Sequence, residues 1–152
     1  MPADPDGLAE LGRSHMTGAP GTPVDRARAR QLFEVAAQKG SGAGLFYLGL
    51  FAYEGEDGAP DVKEACALFR QSAARGHPGG LREYGECQLR GTGGVAQDVA
   101  AAAESFRQSI AHGGVQAHES LARLYDSGEG VPKDPAEAAR LRERSSSLRS
   151  GR

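Results

Sequence analysis

The chain has 152 residues, enough for one domain of ordinary size, with 39% hydrophobic and 6% aromatic residues, 22 Gly and no Trp. A net charge of −2 and a pI near 6.1 leave no basic excess, so neither nucleic acid nor an anionic membrane is expected as a partner. The opening MPADPDGLAE has no basic segment and no apolar run, so no signal peptide or membrane span is expected and the cytoplasm is the expected compartment.

Residues 1–6 are expected to be flexible. A first helix then begins near Gly7, passes Leu11-Gly12 and stops at the turn GAPGTPVD, Gly18 to Asp25. A second helix follows, with Ala29 and Phe33 on one face, and closes at Gly40. The same order returns from Gly44: Leu48-Gly49, the turn GEDGAPD from Gly55 to Asp61, Ala65, Phe69 and Gly76. It returns again from Gly80: Tyr84-Gly85, GTGGVAQD from Gly91 to Asp98, Ala102, Phe106 and Gly113. The fourth pass has Ala117, Leu121-Ala122, GEGVPKD from Gly128 to Asp134, Ala138, and Arg142 in the Phe slot.

The turn Gly at 18, 55, 91 and 128 and the Asp at 25, 61, 98 and 134 fix a period of 36–37 residues. A period of this length indicates stacked supersecondary units. The units are placed at about 7–42, 43–79, 80–116 and 117–145, with a frayed tail over 146–152.

Local chemistry supports two helices per unit. Asp after each turn is an N-cap, because its carboxylate accepts a free N–H of the first helical turn. Asp61 with Glu64, and Asp134 with Glu137, have capping-box spacing, and Pro135 sits at the first helical position, which needs no N–H. Ala65, Leu68, Phe69 and Ala73 form one apolar stripe. Gly40, Gly76 and Gly113 fit left-handed C-caps. Arg142 reads as the polar outer face of a terminal repeat that ends the array.

The pattern A-x-x-x-L-G-x-x-Y-x-x-G-x-G-V-x-x-D resembles the Sel-one-like repeat, a relative of the tetratricopeptide repeat. Repeat four matches best, through Ala117, Leu121, Tyr125, Gly128, Gly130, Val131, Asp134 and Ala138, with Ala122 in place of the usual Gly. Repeat three matches at Gly85, Gly91, Gly94, Val95, Asp98 and Ala102. The Tyr slot holds His15, Ala52 and Gln88 in the first three repeats. The resemblance spans about residues 7 to 145. It implies an all-α, right-handed α-solenoid of about eight helices, whose first helices line a concave face. It also implies a non-catalytic protein- or peptide-binding adaptor or regulator.

In the related repeats a stripe at i, i+4 and i+7 of the first helix faces the concave side. Here it reads Ala9, Arg13, Met16; Phe46, Leu50, Tyr53; Arg82, Glu86, Leu89, with Arg90 beside it; and Glu119, Arg123, Asp126. GLFYLGLFAYEG in repeat two is apolar nearly all round, as in a helix that is buried or contacts something. Phe46, Leu50 and Tyr53 are therefore candidate partner contacts, framed by Arg82, Glu86, Arg90 and Arg123, since rigid rings bury much area at low entropy cost. Alternatively, these rings fill the interior of a tightly curved superhelix, or form a homodimer contact.

No cofactor, metal or catalytic site is expected. His15, His77, His112 and His118 have no helical pairing and no Cys at ligand spacing. The Gly-rich turns lack the Lys-Ser/Thr ending of a phosphate loop and no strand precedes them. RARAR, Arg26 to Arg30, reads as a solvated outer face. Cys66 and Cys87 lie in neighbouring helices of different repeats. Some Sel-one-like proteins staple helices within a repeat, a pairing this pattern lacks, so both cysteines are expected to be free and buried. The alternatives are a hydrolase acting on cell-wall-like substrates, against which stands the lack of a nucleophile–base pair, and a structural homo-oligomer. High Ala, Arg and Gly content suggests a GC-rich bacterial source.

Overall fold

The computed structural model describes residues 4–55 and 58–151. Glu56 and Asp57 of the second turn, residues 1–3 and residue 152 lie outside them. The described chain forms eight α-helices and no strand: α1 (Pro5–Thr17), α2 (Arg26–Gln38), α3 (Gly42–Glu54), α4 (Val62–Ala74), α5 (Pro78–Arg90), α6 (Val99–Ala111), α7 (Ala117–Ser127) and α8 (Pro135–Arg149). Each helix packs on the next. Contacts also skip from α1 to α3 and from α3 to α5, while no pair of even-numbered helices meets as extensively. The odd helices are thus crowded on the inside of a curve and the even helices are spread on its outside.

All four Asp caps form. The carboxylates of Asp25, Asp61, Asp98 and Asp134 accept from the N–H of Arg28, Glu64, Ala101 and Glu137 at 2.9–3.0 Å. The reciprocal half of the expected capping boxes is replaced by something the sequence did not suggest. The N–H of each capping Asp donates back to the preceding helix, to the carbonyls of His15, Ala52, Gln88 and Tyr125 at 2.8–2.9 Å. These four residues share the repeat's Tyr slot. Because the anchor is a backbone carbonyl, the turn survives whatever side chain stands there. The turn glycines Gly18, Gly55, Gly91 and Gly128 have φ of 75°, 81°, 67° and 74°, a region open to Gly at no steric cost.

Within each of the first three repeats, a Phe of the second helix lies on the Gly of the first. Phe33, Phe69 and Phe106 are sealed from solvent. A Cβ on Gly12, Gly49 or Gly85 would stand only 2.7, 2.5 or 2.6 Å from the ring. In repeat four both partners change together, to Ala122 and Arg142. Two buried hydroxyls pin the helix pairs further: Ser72 donates to the Gly42 carbonyl and Ser109 to the Pro78 carbonyl, both at 2.7 Å.

Three expectations need correction. α1 starts at Pro5, with the Asp4 carboxylate capping the Gly7 N–H at 2.9 Å, so residues 5 and 6 are helical. α8 continues to Arg149 with Ser145 buried. No Gly or Pro interrupts Ala136 to Ser150, and the first breaker is Gly151. Finally, Cys66 and Cys87 are not free: they form a disulfide with Cα atoms 6.2 Å apart. The bridge runs between repeats, from α4 to α5, which pack directly on each other, though less extensively than the two helices of one repeat.

A candidate interaction groove on the concave face

The inner face carries a groove of about 450 Å³ between α3 and α5, floored by α4 and reached by α7. Leu50 and Tyr53 enter it from α3; Arg82, Glu83, Glu86, Cys87 and Arg90 from α5; Val62 and Phe69 from α4; and Arg123 from α7. The odd helices converge here because small residues allow close approach. A Cβ on Gly79 of α5, for example, would stand 2.8 Å from the Phe46 ring of α3.

Six of the seven residues singled out from the sequence line this groove: Leu50, Tyr53, Arg82, Glu86, Arg90 and Arg123. Phe46 does not. Its half-buried ring packs against Tyr47, Phe69 and His77, with centroids 5.1, 6.1 and 4.9 Å away, and lies over Gly79 of the next repeat. The other rings of repeat two divide the same way. Phe51 is buried and tilted on Phe33 at 5.7 Å, and Tyr47 stacks on Phe33 at 4.7 Å. Tyr53 alone among these rings is open, at 50% exposure. Leu89, at the end of the repeat-three stripe, packs into the C-terminal core.

The charges of the groove are of two kinds. Its carboxylates are occupied. Glu83 accepts from Arg82; burial pushes its carboxyl above the usual range and Arg82 pulls it partly back. Glu86 accepts the Ser120 hydroxyl at 3.3 Å, tying α5 to α7. Glu119, at the neighbouring rim, takes Arg142 at 3.0 Å, and that hydrogen bond holds it below the usual range. The cations are looser. Arg90 lies 3.7 Å from Glu86 and Arg123 lies 3.5 Å from Glu119, with side chains 64% and 69% exposed.

Sequence reasoning missed Glu83, which stands one position off the stripe, and Arg149, which lay in the segment read as frayed. Arg149 lines the two depressions that adjoin the groove through Arg82 and Arg123. The signal for it was the helix-compatible run after Leu141.

The fold and this inner face define a solenoid built from helix-turn-helix repeats. The chain belongs to the Sel1 repeat family, whose sequence profile matches at residues 5–41, 42–77, 78–113 and 115–149. It is similar to human cytochrome c oxidase assembly factor 7, with 29% identity over 94% of this chain and 64% of that protein. Among solved structures it resembles a Sel1 repeat protein from Oxalobacter formigenes, with TM-score 0.80, 25% identity, and coverage of 97% of this chain and 58% of that one. It also resembles a protective antigen of uropathogenic Escherichia coli with the same repeat fold, with TM-score 0.77, 28% identity, and coverage of 95% and 30%. The chain thus spans less than two thirds of the length of each of these relatives. No helix among the described residues is long and apolar enough to cross a membrane.

Proposed function

We propose that this chain is a non-catalytic adaptor or regulator that binds a protein or peptide in the concave groove between α3 and α5. The observation that carries this reading is Tyr53. It is a half-exposed ring beside Leu50 in a groove framed by arginines, the combination that supplies anchor residues at protein interfaces. The human relative is named as an assembly factor, and an assembly role is one in which proteins are held rather than transformed. The contacts in this reading are Leu50, Tyr53, Arg82, Glu86, Arg90 and Arg123. Phe46 supports them from the interior.

A photo-crosslinking amino acid placed at Tyr53, and at Gln71 as an outer-face control, tests the reading in cells. Crosslinks to another protein are expected from position 53 and not from 71; the reverse pattern removes the concave face from consideration. The cytoplasm is kept as the compartment in this reading, and the disulfide sets its test, because such bonds persist mainly in oxidising surroundings. Alkylation of Cys66 and Cys87 in intact cells supports the cytoplasm, and a protected, bridged pair reassigns the protein.

A further inference from the structure

We propose that the segment held in the groove is acidic: an apolar side chain seated on Leu50 and Tyr53, followed by carboxylates that reach Arg90, Arg123 and Arg149. This inference rests on the concave-face reading and adds the chemistry of the partner. The argument is one of unused hydrogen-bonding capacity. Around the groove and its C-terminal rim stand five cations, Arg82, Arg90, Arg123, Arg142 and Arg149, and three carboxylates, Glu83, Glu86 and Glu119. Each carboxylate already accepts a hydrogen bond from within the chain, from Arg82, Ser120 and Arg142 respectively.

Arg90, Arg123 and Arg149 are in the opposite condition. A guanidinium has five N–H donors. Arg90 and Arg123 meet their carboxylates only at 3.7 and 3.5 Å, beyond good hydrogen-bond length. Arg149 has no ion pair among the described residues. Unused donors on Arg90, Arg123 and Arg149 therefore outnumber the acceptor sites that remain on the three carboxylates. A partner carboxylate gains two-pronged arginine contacts here, whereas a partner lysine meets carboxylates already partly engaged and arginines that repel it.

The placement of these cations gives the partner a direction. Arg82 and Arg123 each belong to the groove and to the next depression, and Arg149 lines both depressions beyond. Contacts that skip between odd helices join α1 to α3 and α3 to α5 but are not matched between α5 and α7. α5 and α7 therefore approach less closely than α3 and α5, and Arg82, Arg90 and Arg123 stand on these two helices. An extended chain anchored at Tyr53 runs with its acidic end toward Arg149. Polyanionic nucleic acid fits less well, because its phosphates would pass Glu83 and Glu86 in the groove and Glu119 at its rim, and it offers no aliphatic side chain to Leu50.

The test is selection of random twelve-residue peptides displayed on phage against the oxidised, full-length protein. The selected peptides are then measured by fluorescence anisotropy on wild type, Tyr53→Ser and the Arg123→Glu/Arg149→Glu double variant. Circular dichroism monitors folding; all three positions are exposed. Expected is a pool enriched in Asp and Glu next to an apolar residue. Its members lose at least tenfold in affinity on the double variant and on Tyr53→Ser, and also lose at least tenfold when their carboxylates become amides.

Selected peptides that are neutral or Lys-rich, sensitive to Tyr53→Ser but indifferent to the double variant, overturn the acidic partner and leave the concave-face reading standing. A pool indifferent to both variants, or no enrichment at all, removes both. A single-stranded oligonucleotide that binds more tightly than any peptide also overturns the proposal.

Discussion

In repeat two the Phe69 ring packs closely on Gly49 and is sealed from solvent; in repeat four the same two positions hold Arg142 and Ala122, and the guanidinium turns outward to Glu119 and Asp126 at 3.0 and 2.7 Å. The difference teaches what the Gly is for. It is the floor under a ring, and where the ring is absent a methyl group can take its place. It also shows what a buried ring requires on its far side. Phe33 of repeat one is covered by Tyr47 and Phe51 of repeat two, and Phe106 shares one core cluster with Leu121 and Leu124 of repeat four. Arg142 has no such cover and uses charge instead.

The comparison breaks most easily at the ring. Phe69→Ala is expected to lose about 3–5 kcal/mol of stability, as buried aromatic truncations do, whereas Arg142→Ala should be close to neutral, since its ion pairs are exposed. Chemical denaturation of both variants checks this, and equal losses would show that the two slots are equivalent. Gly49→Ala forces a methyl against the ring and should cost about 1–3 kcal/mol. Ala122→Gly lacks that clash and should cost about 1–2 kcal/mol, from helix propensity and the loss of one buried methyl.

A smaller effect comes from the helix caps. The His77 Nδ1 accepts the Gly80 N–H at 3.2 Å, which only an unprotonated nitrogen can do. Burial lowers the affinity of this ring for a proton, against an opposing pull from Asp6. The folded pKa therefore lies below the ordinary value of about 6.5. The contribution is complete above that pH and is lost as pH falls through the folded value. His77→Asn keeps a cap without the titration. Denaturation at several pH values should find wild type losing about 0.5–1 kcal/mol relative to the variant as pH drops from 7 toward 5.

The remaining expected change is a gain of similar size. His118 occupies a core slot held by Leu8, Leu45 and Leu81 in the other repeats, and its Nε2 has no partner. His118→Leu should raise stability by about 1 kcal/mol, after the lost Nδ1–H bond to the Val115 carbonyl is subtracted. A loss instead would mean that the ring is serving something else.

Much of this architecture was legible in the sequence because repetition multiplies weak signals. One Asp after a Gly-rich turn suggests a cap; four at a fixed interval locate four helices. The slots that vary were harder to read. The Tyr slot seemed degenerate because its constant function belongs to a backbone carbonyl, which leaves no trace in residue identity. The exchange of Gly49–Phe69 for Ala122–Arg142 was visible as two separate substitutions, and only packing joined them. Within the groove, spacing identified the face, but neither the burial of Phe46 nor the exposure of Tyr53 follows from spacing, since both lie on the same stripe. The Cys pair was misread because its two members belong to different repeats, and the repeat boundary is not a boundary in space.

That bridge also changes how the molecule bears load. Pulled from its two ends, the oxidised chain transmits force across the Cys66–Cys87 bond and bypasses the segment between them, 21 residues by sequence separation. Some 70 Å of contour, about 3.3–3.6 Å for each residue, therefore stays folded away until the bond is reduced. The α6–α7 junction is the least extensive of the sequential helix contacts and carries no such weld, so repeat four peels away while repeats two and three move as one block. The solenoid is a spring with a stiff middle, and the stiff middle is where the groove lies.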